Sequence, residues 1–314
     1  MVKKNTVLPT PTLPPHSDGV NLTMKELLHL KQHAVKWLPP AKSLWSQMAG
    51  QHQSRQLGRG MDFSEVRQYQ HGDDIRSIDW RVTARTGKPH TKLFSEEREK
   101  PVIVYVDFSP SMRFGSTLLL KSVQAAHFAA LTGWIATEGQ DRVGAVIDTG
   151  STLTDLKPLP RQRGALALNH ALANEHQKAL MDHHVTQNSS MAPALEALNR
   201  LCPKGSDIIL LSDFARLTEQ DEITLSGLNT HNRVRIVQLW DPLEQGVTDF
   251  RGCEQVTDRQ HTQWIDFGIK TTRKNIEAAF KAKQNQLSRL ALKLGMSVSA
   301  LSSAQPLQQQ LHGF

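Results

Sequence analysis

From residue 101 onward, short apolar runs alternate with longer amphipathic stretches, and this alternation constrains the fold more than any other feature of the sequence. Four runs rich in Val, Ile and Leu predict buried strands, at residues 102–106, 142–147, 207–211 and 234–239. Amphipathic stretches predict helices, at residues 116–138, 162–180, 191–202 and 219–229. Buried β-branched runs separated by helices are typical of parallel βαβ units. We therefore expect an α/β fold with a mostly parallel sheet and helices on both faces.

The N-terminal part of the chain lacks this alternation. Residues 1–20 are rich in proline, so we expect a flexible tail. Thr23 and Glu26 then have the spacing of a capping box ahead of a helical apolar pattern, which predicts a helix over about residues 24–37. The rest of the segment 21–98 is dense in glycine, arginine and aspartate. It predicts an irregular segment, packed on the main domain, with one or two short strands, of which residues 92–94 are a candidate.

The C-terminal part predicts an addition to the main domain. Residues 256–267 suit an edge hairpin, which would complete a domain at 99–267. Residues 270–294 place their larger apolar side chains mostly on one face, which predicts a long docked helix. We therefore expect a C-terminal helical extension at 268–314.

Composition restricts the class of protein. Hydrophobic residues make up 39% and charged residues 21% of the chain, which is typical of a globular protein. No apolar stretch approaches the roughly 20 residues needed to cross a bilayer, and none follows Lys3 and Lys4 as in a secretory signal. We therefore expect no membrane span and a cytoplasmic location.

The net charge of +7 invites a nucleic-acid hypothesis, but the charge is unevenly distributed. Residues 1–100 carry +6, residues 101–265 carry −4 and residues 266–314 carry +5. The basic residues are interleaved with carboxylates instead of forming one block. This pattern fits docking to a protein partner at least as well as binding to phosphates, so we do not expect nucleic acid to be the ligand.

Asp107, Ser109 and Ser111 directly follow the first predicted strand. Alternate residues of a tight loop can direct one carboxylate and two hydroxyls at one point, and such oxygen ligands suit a hard divalent cation. Asp213 follows the third predicted strand and would reach the same edge if these two strands are neighbours. The sequence therefore predicts a site for Mg²⁺ or another divalent cation.

This arrangement resembles the metal-ion-dependent adhesion site of von Willebrand factor A domains, in which an Asp-x-Ser-x-Ser loop, a middle Thr and a later Asp surround the metal. The resemblance implies a von Willebrand factor A-like, Rossmann-like fold. The middle ligand would fall near Ser189 and Ser190, where no Thr stands, so this ligand is a serine, with Ser190 as the candidate, or is absent. A cation held by neutral hydroxyls stays electrophilic and would capture an acidic side chain of a partner.

A second resemblance covers roughly residues 55–265. The sequence is similar, in order, to the signature of the bacterial family catalogued as domain of unknown function 58. The matching segments are Gly60–Tyr69, Gly72–Trp80, Ala84–Arg85, Phe94, Glu97, Ser111–Gly115 and Leu211–Phe214. Members of that family are often found with MoxR-type AAA+ ATPases, and the pair is thought to act in assembly, maturation or metal insertion. The resemblance implies a MoxR-type AAA+ ATPase and a client protein as partners.

The upstream part of this signature combines arginines with carboxylates and aromatic side chains. Arg67 and Arg76 lie among several Asp and Glu residues, which predicts an ion-pair network that holds the segment in place. The alternative is that this segment forms a surface to which the partner ATPase binds. Tyr69 and Trp80 would then be aromatic anchors at that interface.

Known catalytic motifs are missing from the sequence: a Walker A loop, a His-Glu-x-x-His helix and a Gly-x-Ser-x-Gly elbow. We therefore expect no enzymatic activity. Our main hypothesis is a metal-dependent protein-interaction adaptor that works with a MoxR-type ATPase in the assembly or maturation of other proteins. The alternative is a basic protein that binds nucleic acid or an anionic surface through its N-terminal arginines and the 270–293 helix.

Overall fold

A computed structural model describes residues 12–32, 34, 61–71, 73–96, 100–182, 190–246, 248, 250–257 and 262–311. These residues form two compact units. The first unit joins the described residues before position 45 to those from position 100 onward, and the second contains those between 45 and 99. The division differs from the predicted one, because the N-terminal helix belongs to the first unit and not to the arginine-rich segment.

The elements are numbered in chain order. The strands are β1 (Met61–Gln68), β2 (His90–Glu96), β3 (Pro101–Asp107), β4 (Arg142–Asp148), β5 (Leu153–Pro160), β6 (Asp207–Ser212), β7 (Arg233–Trp240), β8 (Cys253–Thr257), β9 (Thr262–Asp266) and β10 (Ser297–Ser302). The helices are α1 (residues 24–32), α2 (Trp80–Thr86), α3 (Lys121–Glu138), α4 (Arg161–Met181), α5 (Ala192–Leu201), α6 (Asp221–His231), α7 (Lys270–Leu294) and α8 (Leu307–Gln310).

The centre of the first unit is a sheet that, within the described residues, has six strands in the order β10-β7-β6-β3-β4-β5. Neighbouring strands are parallel except β5, which runs antiparallel to β4 at one edge. Ile103 and Tyr105 of β3 join one hydrophobic core with α5, α6 and α7. Helices α3 and α4 contact each other and the strands without joining that core, so they cover the opposite face. The predicted α/β fold is confirmed.

Two edge strands of this sheet were not predicted. β5 contains Pro158 and Pro160, and proline is tolerated in sheets only at edges because it donates no ladder hydrogen bond. β10 is a short strand with three serines, and it pairs with β7 inside the segment predicted to be a helical extension. The predicted edge hairpin at 256–267 corresponds to the antiparallel pair β8 and β9, which begins earlier, at Cys253, and forms a two-stranded sheet of its own instead of an edge of the central sheet.

Helix α1 begins as predicted from its capping box. The backbone N–H of Glu26 donates to Thr23 Oγ1 at 3.3 Å, and Glu26 Oε2 accepts from the backbone N–H of Thr23 at 3.4 Å. The other carboxylate oxygen of Glu26 lies 2.5 Å from Nε2 of buried His127 on α3. This contact holds α1 against α3. The predicted end of this helix at 37 lies outside the described residues.

The second unit contains an antiparallel pair of strands, β1 and β2, and the short helix α2. The sequence predicted a strand within β2 but neither β1 nor α2. Asp79 caps α2 by accepting from the backbone N–H groups of Arg81 and Val82, and Gly87 ends it with a positive φ of 70°. This part of the chain is therefore more regular than the sequence indicated.

Candidate functional site

Three carboxylates meet at the carboxyl edge of the central sheet. β3 and β6 are hydrogen-bonded neighbours, with Val106 opposite Leu211, so Asp107 and Asp213 follow adjacent strands as predicted. Asp148 lies directly opposite Asp107 on the other neighbour, β4. All three side chains are buried. Like charges this close need positive partners to remain ionised.

Both oxygens of Asp107 are occupied by donors from the protein itself. Oδ1 accepts from the backbone N–H of Ser109 at 2.8 Å and from Arg216 Nη2 at 3.0 Å. Oδ2 accepts from the hydroxyl of Ser212 at 2.6 Å. Burial raises the pKa of the Asp107 carboxyl above its ordinary value, because the positive charge of Arg216 offsets only part of the desolvation.

Arg216 is the cation at the centre of this edge, and its side chain is only 7% exposed. One nitrogen, Nη2, lies within hydrogen-bond distance of Asp107 Oδ1, of Asp148 Oδ2 at 2.7 Å and of the Tyr105 hydroxyl at 3.1 Å, and its two hydrogens are shared among these three oxygens. The Tyr105 hydroxyl in turn donates to Asp148 Oδ2 at 3.1 Å. Burial alone would lower the pKa of Arg216, but the adjacent carboxylates reverse this effect and raise it.

Lys121 forms a second buried ion pair beside the first. Its Nζ donates to Asp213 Oδ2 at 2.9 Å and to Glu244 Oε1 at 2.5 Å, and its side chain is fully buried. The other oxygen of Asp213 accepts from the backbone N–H of Ala215 at 2.8 Å. Burial would raise the pKa of Asp213, but Lys121 and Lys283 lower it to about 2. Lys121 thus joins the loops that follow β3, β6 and β7.

The predicted hydroxyl ligands are not gathered around one point. The hydroxyls of Ser109 and Ser111 lie 3.4 Å apart. Ser190 accepts from the backbone N–H of Ala192 at 3.0 Å, at the start of α5. No contact of Ser190 with the other predicted ligands occurs among the described residues, and Ser189 lies outside them.

These side chains, as arranged, do not fit a divalent cation. A hard cation needs carboxylate oxygens that are free to coordinate it, yet both oxygens of Asp107 and of Asp213 are engaged by protein donors. Their charges are opposed by Arg216 and Lys121. In the described part of the chain, no group of three or more His, Cys, Asp or Glu side chains is placed to hold a metal. Metal binding by the predicted set stays a prediction.

Five residues of this edge were not identified from the sequence: Tyr105, Lys121, Asp148, Arg216 and Glu244. Asp148 could have been found, because it directly follows the second predicted strand just as Asp107 follows the first. The two cations give no such signal. An arginine in a loop and a lysine near the start of a helix are exposed in most proteins.

The predicted aromatic anchors lie in the second unit. Trp80 is 68% exposed at the start of α2. Tyr69 is half-buried, and its backbone N–H donates to the carbonyl oxygen of Pro89 at 2.9 Å. An exposed tryptophan of this kind is available to a partner, but partner binding by Tyr69 and Trp80 stays a prediction.

The arginines of the second unit form a small set of contacts. Arg67 pairs with Asp73 at 2.7 Å, and both side chains are partly exposed. Arg76 is exposed, and its backbone N–H donates to Asp74 Oδ1 at 2.9 Å. The side chains of residues 61–65 lie outside the described set, so the predicted network is described only in part. Its described pairs are at the surface.

A serine and a histidine meet beside the sheet edge, because Ser122 directly follows Lys121 and the His176 ring packs against Phe108. Ser122 Oγ lies 2.9 Å from His176 Nε2, which is the pairing expected of a nucleophile and its base. Both residues are at most 1% exposed, and burial lowers the pKa of His176 to about 4. A substrate cannot reach this pair in the present conformation.

A groove of about 740 Å³ opens beside Asp213, between the loop after β6 and helix α7. Ala215 lines its mouth. Apolar side chains and charged side chains both contribute to its walls, among them Leu217, Ile223, Leu287, Leu290, Glu222 and Lys283. The groove is therefore amphipathic, and it lies next to the carboxyl edge of the sheet, where Lys121 and Arg216 form their ion pairs.

Two solved structures show distant likeness to this chain. The conserved hypothetical protein BatB from Bacteroides thetaiotaomicron has a TM-score of 0.40 and 11% identity, covering 68% of this chain and 94% of BatB. An uncharacterized membrane spanning protein from Vibrio fischeri has a TM-score of 0.18 and 14% identity, covering 65% and 90% respectively. Neither likeness supports a conclusion about fold or function. None of the helices in the described residues is long and apolar enough to span a membrane.

Sequence comparisons give relatives of this chain and a matching family model. Uncharacterized proteins of Mycobacterium bovis and Mycobacterium tuberculosis are 31% identical over 172 residues, covering 52% of this chain and 50% of each relative. The chain thus spans about half the length of the curated relatives that it matches. Residues 65–286 match the family model described as protein of unknown function DUF58. The chain belongs to the DUF58 family.

Proposed function

We propose that this chain is a non-catalytic protein-interaction domain of the von Willebrand factor A-like type. Its partner is a MoxR-type AAA+ ATPase, and the pair acts in the assembly or maturation of a client protein. The mostly parallel sheet with an Asp-x-Ser-x-Ser loop at its carboxyl edge supports the von Willebrand factor A-like assignment. The ATPase partner is supported by membership of the family.

The amphipathic groove beside Asp213 is the observation that carries this proposal. Its volume of about 740 Å³ and its mixed lining suit a side-chain cluster of another protein. The loops around it are fixed by the buried ion pairs of Lys121. A surface that is already ordered loses little conformational entropy when a partner binds.

The chemistry of the edge supports a binding role over a catalytic one. Ser109 is fully buried, and Ser111 contacts only Ser109 among the hydrogen bonds of the described side chains. The buried pair of Ser122 and His176 is closed to substrate. A nucleophile needs both an accessible position and an adjacent base, and no described residue of the edge combines them.

The proposal does not include a metal. The sequence hypothesis placed a divalent cation between Asp107 and Asp213, whereas Arg216 and Lys121 now lie against these carboxylates. We therefore expect the partner to bind equally well with and without a chelator.

A pull-down with the MoxR-type ATPase of the same organism tests the proposal. Ala215→Arg places a long charged side chain in the mouth of the groove, and we expect at least a tenfold loss of ATPase binding. Ala278→Arg is the matched control, because Ala278 is exposed on α7 and does not line the groove. Equal binding by both variants would show that the groove is not the docking site. Absence of binding by the wild-type chain would show that the ATPase is not its partner.

Binding to an anionic surface is the second candidate, and helix α7 favours it. The helix carries exposed basic residues at Lys270, Lys274, Lys281, Lys283, Arg289 and Lys293. Two of them, Lys281 and Lys293, are already paired with Glu277 and Glu222. Phosphate binding would weaken steeply as salt rises. A DNA-binding titration over increasing salt therefore separates this candidate from protein docking.

A further inference from the structure

The oxygens around Arg216 converge on a single atom, which is the geometry expected around a bound cation. Nη2 lies 3.0 Å from Asp107 Oδ1, 2.7 Å from Asp148 Oδ2 and 3.1 Å from the Tyr105 hydroxyl. These oxygens come from the ends of two adjacent strands, β3 and β4. We infer that the Arg216 guanidinium is a tethered cation that takes the place of a divalent metal at this edge, and that its removal converts the edge into a metal site.

The binding mode of Arg216 supports a role as a positive charge. Arginine usually meets a carboxylate through two parallel N–H bonds from two nitrogens. Here a single nitrogen makes all three contacts. Nε and Nη1 are buried and have no hydrogen-bond partner among the described residues. The side chain thus places one charged nitrogen among several oxygens, which is the arrangement of a metal ion among its ligands.

The charges at this edge explain why a cation is needed. Asp107 and Asp148 lie opposite each other on neighbouring strands, and their side chains are 1% and 4% exposed. Removing one partner of a buried ion pair leaves an uncompensated charge and strongly destabilises a protein. Without Arg216, the two carboxylates must bind protons or another cation.

Without Arg216 these oxygens would suit a hard divalent ion. Asp107 Oδ1 then keeps only the neutral N–H of Ser109. Asp148 Oδ2 keeps only the Tyr105 hydroxyl, which can rotate. Two carboxylates and one phenolic hydroxyl form an all-oxygen set, the kind that Mg²⁺, Ca²⁺ and Mn²⁺ prefer. The present distances to Nη2 exceed metal–oxygen distances of about 2.0 to 2.6 Å by roughly half an ångström to one ångström. Side-chain rotation can supply a contraction of that size, and the space of the guanidinium would admit water ligands. The inference does not depend on the identity of the partner protein.

The variant Arg216→Met tests the inference, because methionine removes the charge while filling much of the space. In a chelator we expect the Tm of Arg216→Met to lie roughly 10 °C below that of the wild type. Addition of Mn²⁺ alone should recover at least half of that loss. The wild-type Tm should not change between chelator and Mn²⁺. Electron paramagnetic resonance should detect one bound Mn²⁺ per chain of the variant and none on the wild type.

A second variant separates the metal site from general stabilisation. Combining Arg216→Met with Asp107→Asn and Asp148→Asn removes the buried charges, so this chain should be stable in chelator and insensitive to Mn²⁺. An Arg216→Met chain no more responsive to Mn²⁺ than the wild type would overturn the inference. The inference would also be overturned if the wild-type chain bound one Mn²⁺ and the substitution Asp107→Asn abolished that binding. If Arg216→Met does not fold, the titration of the wild-type chain with Mn²⁺ still tests the inference. Absence of Mn²⁺ binding supports the statement that Arg216 occupies the place of the metal, and binding that depends on Asp107 contradicts it.

Discussion

The ion pairs at the sheet edge of the first unit and the ion pairs of the second unit use the same kinds of residues in different environments. In the first unit, Lys121 and Arg216 are almost completely buried against carboxylates that follow three neighbouring strands. In the second unit, Arg67 is 33% and Asp73 is 19% exposed. Buried pairs cannot lose one partner without a large cost, whereas exposed pairs exchange protein contacts for water. Burial, and not residue type, therefore decides which charges hold this protein together.

Lys121→Met should have the largest effect on stability. It removes the cation that is hydrogen-bonded to Asp213 and Glu244 and leaves only exposed Lys283 to oppose the charge of buried Asp213, which costs about 3–5 kcal/mol of the free energy of unfolding. Urea titration at neutral pH measures the loss. Adding Asp213→Asn to this variant removes the unpaired charge and should restore at least half of it. A loss below about 1 kcal/mol would place Lys121 in the same class as the exposed pairs.

Helix α4 allows the same comparison between a buried and an exposed side chain, with His176 and His170. His176 is buried with its pKa lowered to about 4, while His170 is exposed. The unfolded chain binds a proton at this position more readily than the folded chain between pH 6.5 and 4. The contribution of His176 is therefore fully present above pH 6.5 and is lost as pH falls toward 4, by up to about 3 kcal/mol.

Substitution separates the two histidines. We expect His176→Gln to flatten the dependence of the free energy of unfolding on pH between 7 and 5, measured by urea titration at both values. His170→Gln is the matched control and should leave that dependence as in the wild type. Equal behaviour of the two variants would mean that His176 gains a proton without opening the fold.

Sequence periodicity predicted most of the fold. Helix α7 has the predicted bounds, 270–294, because its apolar positions recur with the helical period over many turns. The four buried strands were identified from continuous β-branched runs. The edge strands β5 and β10 have mixed polarity, because many of their side chains are exposed or only partly buried. Their assignment depended on pairing with distant strands, which no local pattern records.

The candidate site was predicted only in outline. Strand ends placed Asp107 and Asp213 side by side, because parallel neighbours present their carboxyl ends at one edge. The partners of these carboxylates were not predicted. Lys121 is 92 residues from Asp213, and Arg216 is 109 residues from Asp107. Whether a lysine at the start of a helix faces solvent or a buried carboxylate depends on packing of the whole sheet, and α3 is buried on nearly all sides.

Arg67→Met should have the smallest effect, and it tests the exposed side of the comparison. The pair of Arg67 and Asp73 is partly solvated, so its loss should change the free energy of unfolding far less than the loss of Lys121 does. Asp73 also accepts from the backbone N–H of Gln70 at 2.8 Å, and this bond stays in the variant. Asp73→Ala removes both contacts and should therefore cost more than Arg67→Met. Urea titrations of the two variants give the difference. A cost for Arg67→Met as large as that for Lys121→Met would show that water does not replace this contact, and that burial alone does not separate the two units.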